Sequence, residues 1–292
     1  MLLLLNLRGI GEILMPRKIN LGFLMFLITL ALLTGCSSID KLTIKNEDFE
    51  YIKNGKITKV NINNTRDKGF KFVVTDERAI KDIYDILSTA KSVKEKTLLE
   101  PDYVFELYTE DNVVHKFNYV AGIDKKNIGN FYSNDKIYIA SKIIDSDIIS
   151  SFWNARKPKD FSNVYYNSIL VAIDNYRKYI NKTDLIVVNL KDDVEVAKFV
   201  LSVDVDNFSN NISKKEYNSK VISDPNVNYG VALNVETKGY KTDVIKNEGV
   251  YKCTLTFTNK KDNSEKIYYV FNNYKDNKWE IRVDADKKPK DF

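Results

Sequence analysis

The sequence predicts an α+β protein of two small domains, each an antiparallel sheet with one or two packed helices. Three observations lead there. The 292 residues exceed one average domain, and 43% apolar with 12% aromatic residues is ordinary globular composition. Short alternating stretches between Asn, Asp and Gly turns point to hairpins, while apolar residues at i, i+3, i+4 and i+7 point to helices laid on them. A charged break, Arg156-Lys157-Pro158-Lys159-Asp160, divides the pattern in two. The organisation expected is a leader over 1–35, a tether over 36–41, a first domain over 42–156, a linker over 157–162 and a second domain over 163–292.

In the leader, Pro16-Arg17-Lys18-Ile19-Asn20 is a short basic stretch, and Leu21–Leu33 is an apolar run broken only by Gly22 and Thr29. That run suits a signal-peptide core and falls below the roughly 20 residues of a spanning helix. Met15 heads the unit and is the start expected, with residues 1–14 upstream of it. The run ends in Leu33-Thr34-Gly35-Cys36, followed by Ser37-Ser38. These residues resemble the bacterial lipobox: an aliphatic residue, two small residues, then cysteine. The resemblance implies cleavage between Gly35 and Cys36 and a diacylglyceryl lipid on the Cys36 thiol. Two acyl chains, at roughly 0.8 kcal/mol per buried CH₂, would hold the chain stably on the outer face of the cell membrane. The abundance of Lys, Asn and Ile suggests a low-GC Gram-positive source.

With Cys36 lipidated, Cys253 is the remaining thiol, so no intrachain disulfide is available and stability falls to packing. Tyr251, Cys253, Leu255 and Phe257 share one strand face, which reads as a buried, inert thiol.

The first domain opens with Phe49–Lys53 and Lys56–Val60 flanking Asn54-Gly55, a two-residue hairpin signal. Phe70–Val74 is a third strand. Asp76 caps a helix running to about Ala90, with Ile80, Ile83, Tyr84 and Leu87 as its buried stripe. Residues 102–108 and 113–120 pair across Glu110-Asp111-Asn112, and Lys136–Ala140 is another strand. A helix over about Asp147–Arg156 buries Ile148, Ile149, Phe152 and Trp153. The helix Ile80–Ala90 with Lys91, the strand Asp102–Tyr108 and the closing Phe152-Trp153 resemble the YhfM-like domain of Gram-positive lipoproteins, over roughly residues 70–161. The resemblance implies a small extracytoplasmic α+β domain without an assigned activity.

The second domain starts with Ser162 as cap and a helix to Ile180, whose stripe is Tyr166, Ile169, Ile173, Tyr176 and Ile180. Leu185–Leu190 is a strand. Val194–Val205 reads two ways: an alternating strand through Phe199, Leu201, Val203 and Val205, or a helix capped by Asp193. Four segments, 229–236, 250–258, 265–271 and 278–283, form an antiparallel meander. One long helix across a curved sheet is similar to the cystatin or NTF2-like architecture, an analogy of fold that carries no function.

Few chemistries fit this composition. The formal charge of +5 includes the basic leader and is too small a bias for nucleic acid. Only seven of the 45 basic residues are arginine, which limits bidentate anion clamps. His115, the one histidine, shares a strand face with Phe117 and Tyr119 and reads as structural. Asp204-Val205-Asp206-Asn207 opens like a calcium loop, but Ser209 stands where glycine is needed and Lys215 where glutamate is needed. Asp145 and Asp147 form a carboxylate-rich stretch that reads as solvated surface. Ser88-Thr89-Ala90-Lys91 matches S-x-x-K without its companion motifs. Among eighteen tyrosines, the pairs Tyr165/Tyr166 and Tyr268/Tyr269 each expose one ring.

No catalytic, metal or cofactor set emerges. The function expected is a non-enzymatic, membrane-anchored binding or interaction module with an envelope protein or glycan as partner. The rival expectations are an envelope hydrolase using carboxylates, with a pair roughly 5–9.5 Å apart in a cleft, and an assembly factor for an envelope complex.

Overall fold

The structure, a computed structural model, describes residues 45–53, 56–123, 127–152, 157–178, 184–214, 217–222, 228–290 and 292. The leader with Gly35 and Cys36, the tether, the Asn54-Gly55 turn, Trp153, Arg156, Ile180 and Lys215 lie outside them. Residues 45–292 form one compact unit holding two sheets, and the protein is α+β.

Sheet I contains β1 (Ile57–Asn64), β2 (Lys71–Val74), β3 (Lys91–Ser92), β4 (Tyr103–Thr109), β5 (Val114–Tyr119), β6 (Phe131–Tyr132) and β7 (Ile137–Ile139), in the order β2-β1-β4-β5-β6-β7-β3. Its β4–β5 hairpin turns at Asn112, whose positive φ of 61° suits asparagine. Helix α1 (Glu77–Leu87) packs Ile80, Ile83, Tyr84 and Leu87 onto the sheet, and the Asp76 carboxylate accepts from Ala79 N at 3.0 Å as the expected cap.

Two segments differ from expectation. Residues 49–53 are not a strand: Glu47–Ile52 is a 3₁₀ helix in which Asn46 accepts from Asp48 N. Phe49 and Ile52, three residues apart, both turn into the core, the period of a 3₁₀ helix rather than the two of a strand. The helix expected over 147–156 begins earlier, as a π turn over Ile144–Ile149 followed by a 3₁₀ turn over Ser150–Phe152. The widened turn buries Ile144, Ile148 and Ile149 together.

Sheet II contains β8 (Ile186–Asn189), β9 (Ser219–Val221), β10 (Val231–Asp243), β11 (Glu248–Asn259), β12 (Glu265–Lys275), β13 (Lys278–Glu280) and β14 (Val283–Ala285). The order is β13-β12-β11-β10-β8-β9, with β14 also on β12. The expected meander is present, but the sheet is mixed: β8 runs parallel to both β10 and β9. Helix α3 (Ser202–Ile212) makes the crossover that a parallel pair requires. Val194–Val205 is therefore neither expected element. It holds a 3₁₀ turn over Ala197–Phe199 and the start of α3, and Asp193 caps nothing: its carboxylate accepts from Thr237 N at 3.0 Å and Thr237 Oγ1 at 2.8 Å.

Helix α2 (Phe161–Arg177) lies across β11, β12 and β14 and is covered by α3. That double contact buries both Tyr165 and Tyr166, against the expectation of one exposed ring. Tyr165 meets Phe161 and Tyr251, and Tyr166 meets Phe208 of α3 at 4.8 Å. Tyr268 is buried and Tyr269 half-buried, as alternation on β12 dictates. Ser162 is not the cap of α2. Asp160 takes that position in a left-handed conformation (φ 47°) without a side-chain cap bond, and Ser162 Oγ donates to Asp204. Arg177 closes the far end, donating to the carbonyls of Tyr217, Asp184 and Asn218 at 2.7–3.0 Å. No helix among the described residues is long and apolar enough to cross a membrane.

Candidate functional site

The sheets meet at a buried charged joint. Asn64 ends β1, and its Oδ1 accepts from Arg66 N and Asp67 N, a turn that delivers the Arg66 side chain to Asp102. Asp102 Oδ1 accepts from Arg66 Nη1 at 2.6 Å and from Ser202 N at 2.8 Å; Oδ2 accepts from Ala121 N at 2.9 Å. Ser202 is the first residue of α3, and Leu201 before it offers no capping side chain. A carboxylate from sheet I thus caps a helix of sheet II. Ser202 Oγ accepts from Arg66 Nη2 at 2.5 Å and donates to the Glu100 carbonyl at 2.6 Å, and Asn64 Nδ2 donates to the Lys198 carbonyl at 3.2 Å. Burial raises the Asp102 pKa above the ordinary carboxylate value; Arg66 and the two backbone donors oppose that rise.

Beside this joint opens a cleft of about 530 Å³. One wall comes from sheet I and the turns after it, through Tyr103, Gly122, Asp145 and Ile149; the other is Phe161, Phe199 and Leu201 of the second half. Lys157 and Pro158 cross between them. Gly122 is fixed by geometry: its φ is +74°, and a Cβ there would lie 2.9 Å from Val203 Cγ1 of α3.

The charges on this cleft are unequally satisfied. Asp145 accepts from Tyr119 Oη at 2.8 Å and Gly122 N at 2.9 Å, while burial raises its pKa. Asp160 accepts from Asn163 Nδ2 at 2.8 Å. Lys157 forms no ion pair among the described residues, and burial lowers its pKa despite the nearby charges of Asp204 and Asp160. Lys198 is likewise without an ion pair, its ammonium 5.3 Å from the Phe199 ring. The carboxylates accept hydrogen bonds, whereas the two ammoniums lie near aromatic rings and form no ion pair among the described residues.

A second concavity, about 610 Å³, lies on sheet I against the 3₁₀ helix. There His115 stacks on Tyr51 with ring centroids 3.9 Å apart, and burial lowers its pKa. The histidine shares a strand face with Phe117 as expected, and a ring stack on Tyr51 holds it, with no side-chain hydrogen bond among the described residues. The groove's polar groups pair with one another: Asp48 accepts from Lys136 and from Tyr138 Oη, which holds its pKa down.

The remaining sequence candidates are scattered. Cys253 is buried on β11, where burial pushes its thiol well up. Ser88 is buried and donates to the Asp85 carbonyl. Asp204 and Asp206 lie on α3, not on a loop. Asp145 is not solvated surface but a hydrogen-bonded wall of the cleft. No group of three or more His, Cys, Asp or Glu able to hold a metal occurs among the described residues. Sequence reasoning missed Lys157 and Lys198, reading the first as part of a charged linker. The signal available was that Lys157 precedes Pro158 at the point where one pattern gives way to the next.

Residues 53–158 match the family model of the YhfM protein, about a third of the chain. The match extends from β1 to the crossing at Pro158 and includes the first wall of the cleft; the second wall lies beyond it. No curated protein and no solved structure matches the chain.

Proposed function

We propose that this chain is an extracytoplasmic lipoprotein, held at the membrane by lipid on Cys36, whose folded part is a non-enzymatic binding module with the cleft between the sheets as its ligand site. The observation that carries the binding reading is the lining of that cleft: apolar walls, carboxylates bonded to structural donors, and Lys157 and Lys198 without ion pairs among the described residues. Clefts between packed units are a common seat for small ligands. The leader's basic stretch, apolar core and Leu33-Thr34-Gly35-Cys36 support the anchor. A hydrolase using carboxylates receives less support, because Asp145 and Asp160 already serve the local backbone and side-chain structure.

The test has two arms. Labelled palmitate fed to cells should enter the wild-type chain and not Cys36→Ala. A Cys36→Ala chain that still takes up the label, or a wild-type chain that takes up none, would overturn the anchor. Incubating the mature chain with cell-envelope fractions should release no product; turnover that requires the chain would overturn the non-enzymatic reading.

A further inference from the structure

Resting on the reading of the cleft as a ligand site, we infer that its occupant is a small amphipathic anion: an apolar body ended by one carboxylate or phosphate head. The walls specify the body. Ile149, Pro158, Phe161, Phe199 and Leu201 line the space, and about 530 Å³ falls within the roughly 300–1,000 Å³ typical of small-ligand pockets.

Lys157 specifies the head. Lys157 is half-buried, its ammonium 5.7 Å from the Phe161 centroid, with no ion pair among the described residues. A half-buried cation held by a ring face and lacking an ion pair gains from an incoming anion, whereas a neutral ligand adds nothing to it and a cation opposes it. Lys198 stands on the same cleft as a second positive charge. Asp145 and Asp160 accept from Tyr119, Gly122 and Asn163 and form no ion pair with either lysine among the described residues; Asp204 and Asp160 reach Lys157 as nearby charges only. Lysine presents a point charge rather than a planar fork, so it accepts a carboxylate or a phosphate head alike. The apolar walls disfavour a hydrophilic anion that would leave them wet.

The experiment is calorimetric titration of the mature full chain, as the soluble Cys36→Ala form, with decanoate, decyl phosphate, 1-decanol, decyltrimethylammonium and inorganic phosphate. Decanoate and decyl phosphate should bind at one saturable site, and the other three should bind at least tenfold more weakly. The two anions distinguish a free acid from a phosphate head by which is the tighter. Lys157→Met keeps the stem and removes the charge. It should keep the thermal midpoint and lose at least tenfold in decanoate affinity, so that decanoate and decanol bind alike. Lys198→Met should weaken decanoate by a smaller factor, and Lys157→Arg should retain most of the affinity, which guards against a Lys157→Met chain that does not fold. Equal binding of decanol or the ammonium probe by the wild type, no binding of either anion, or an undiminished anion preference in Lys157→Met would overturn the ligand class. Equal binding of all probes would leave the binding module standing, whereas turnover of an envelope fraction would overturn the module with the anion preference intact.

Discussion

Sheet I and sheet II reach the same strand number by different means. Sheet II rests on three long strands, β10, β11 and β12, of 13, 12 and 11 residues, paired register by register. Sheet I has no strand longer than eight, and β3 and β6 have two residues each. What closes it is packing: Phe49 of the 3₁₀ helix meets Phe117, Phe131 and Tyr138, and Phe117 stacks on Phe131 at 4.7 Å. Sheet II adds long ladders to its own ring contacts, such as Tyr176 on Phe257 at 4.1 Å, whereas sheet I has short ladders and leans on its rings, so a fault in the joint between them should show first in sheet I.

Asp102→Ala is the strongest way to break that comparison. It strands Arg66 and leaves Ser202 N and Ala121 N without their acceptor, and loss of one partner of a buried pair costs about 3–5 kcal/mol. With Trp153→Phe in both chains, so that Trp279 is the one tryptophan, the otherwise wild-type chain should show one urea transition by fluorescence and by circular dichroism; the variant should show two, with Trp279 of sheet II reporting the later one. Coincident transitions in the variant would refute the joint's role.

Gly122→Ala tests the same seam without touching charge. A left-handed alanine costs about 1–2 kcal/mol, and the close Val203 methyl adds an overpacking cost of about 1–3 kcal/mol. Thermal melting should show the loss, relieved in part when Val203→Ala is added.

The pH dependence sharpens the picture further. Asp102, Asp145 and Asp193 are held above the ordinary carboxylate value by burial. For each, the folded state binds the proton more tightly than the unfolded state, so its contribution to stability rises as pH falls from above its folded pKa toward 3.8. Asp48, Asp85 and Glu106 are lowered, so their contribution is lost only as pH falls below their unfolded values. The urea midpoint should therefore hold or rise between pH 7 and 5, and Asp102→Asn should flatten that rise. A steep decline over the same range in the wild type would contradict it.

The helix caps give the smallest contrast. Asp76→Ala should cost about 1 kcal/mol, the usual loss of a bonded N-cap. Asp160→Gly should stabilise by up to about 1 kcal/mol, since the left-handed Asp160 makes no cap bond. Guanidinium midpoints of the two variants should move in opposite directions.

The same contrast explains what could be read from the chain. Long alternation is a local signal, and β10–β12 were legible because each strand repeats its period several times. Asp76 and the stripe of α1 were legible for the same reason. The short strands β3, β6 and β9 offer no period to detect. Phe49–Lys53 misled because a β-rich stretch beside Asn54-Gly55 satisfies hairpin rules, and only the core shows that Phe49 and Ile52 point the same way. The joint was not legible at all: Arg66 and Asp102 are 36 residues apart, and Asp102 and Ser202 are 100 apart. Lys157 looked like a solvated linker because charge beside proline carries that meaning until a second wall closes over it.

Strand β8 has one more consequence, for the order in which the protein assembles. Both its sheet neighbours come later in the chain, Ile186 pairing with Ser219 and with Val231. The β10–β11 and β11–β12 hairpins close over short loops, so they gain their contacts early, while β8 waits for α3 to bring it alongside β10. In refolding followed by pulsed hydrogen exchange, amides of Cys253 and Leu255 should gain protection before those of Val187 and Val188. A chain delivered in sequence order would then finish its second half from the far end backwards.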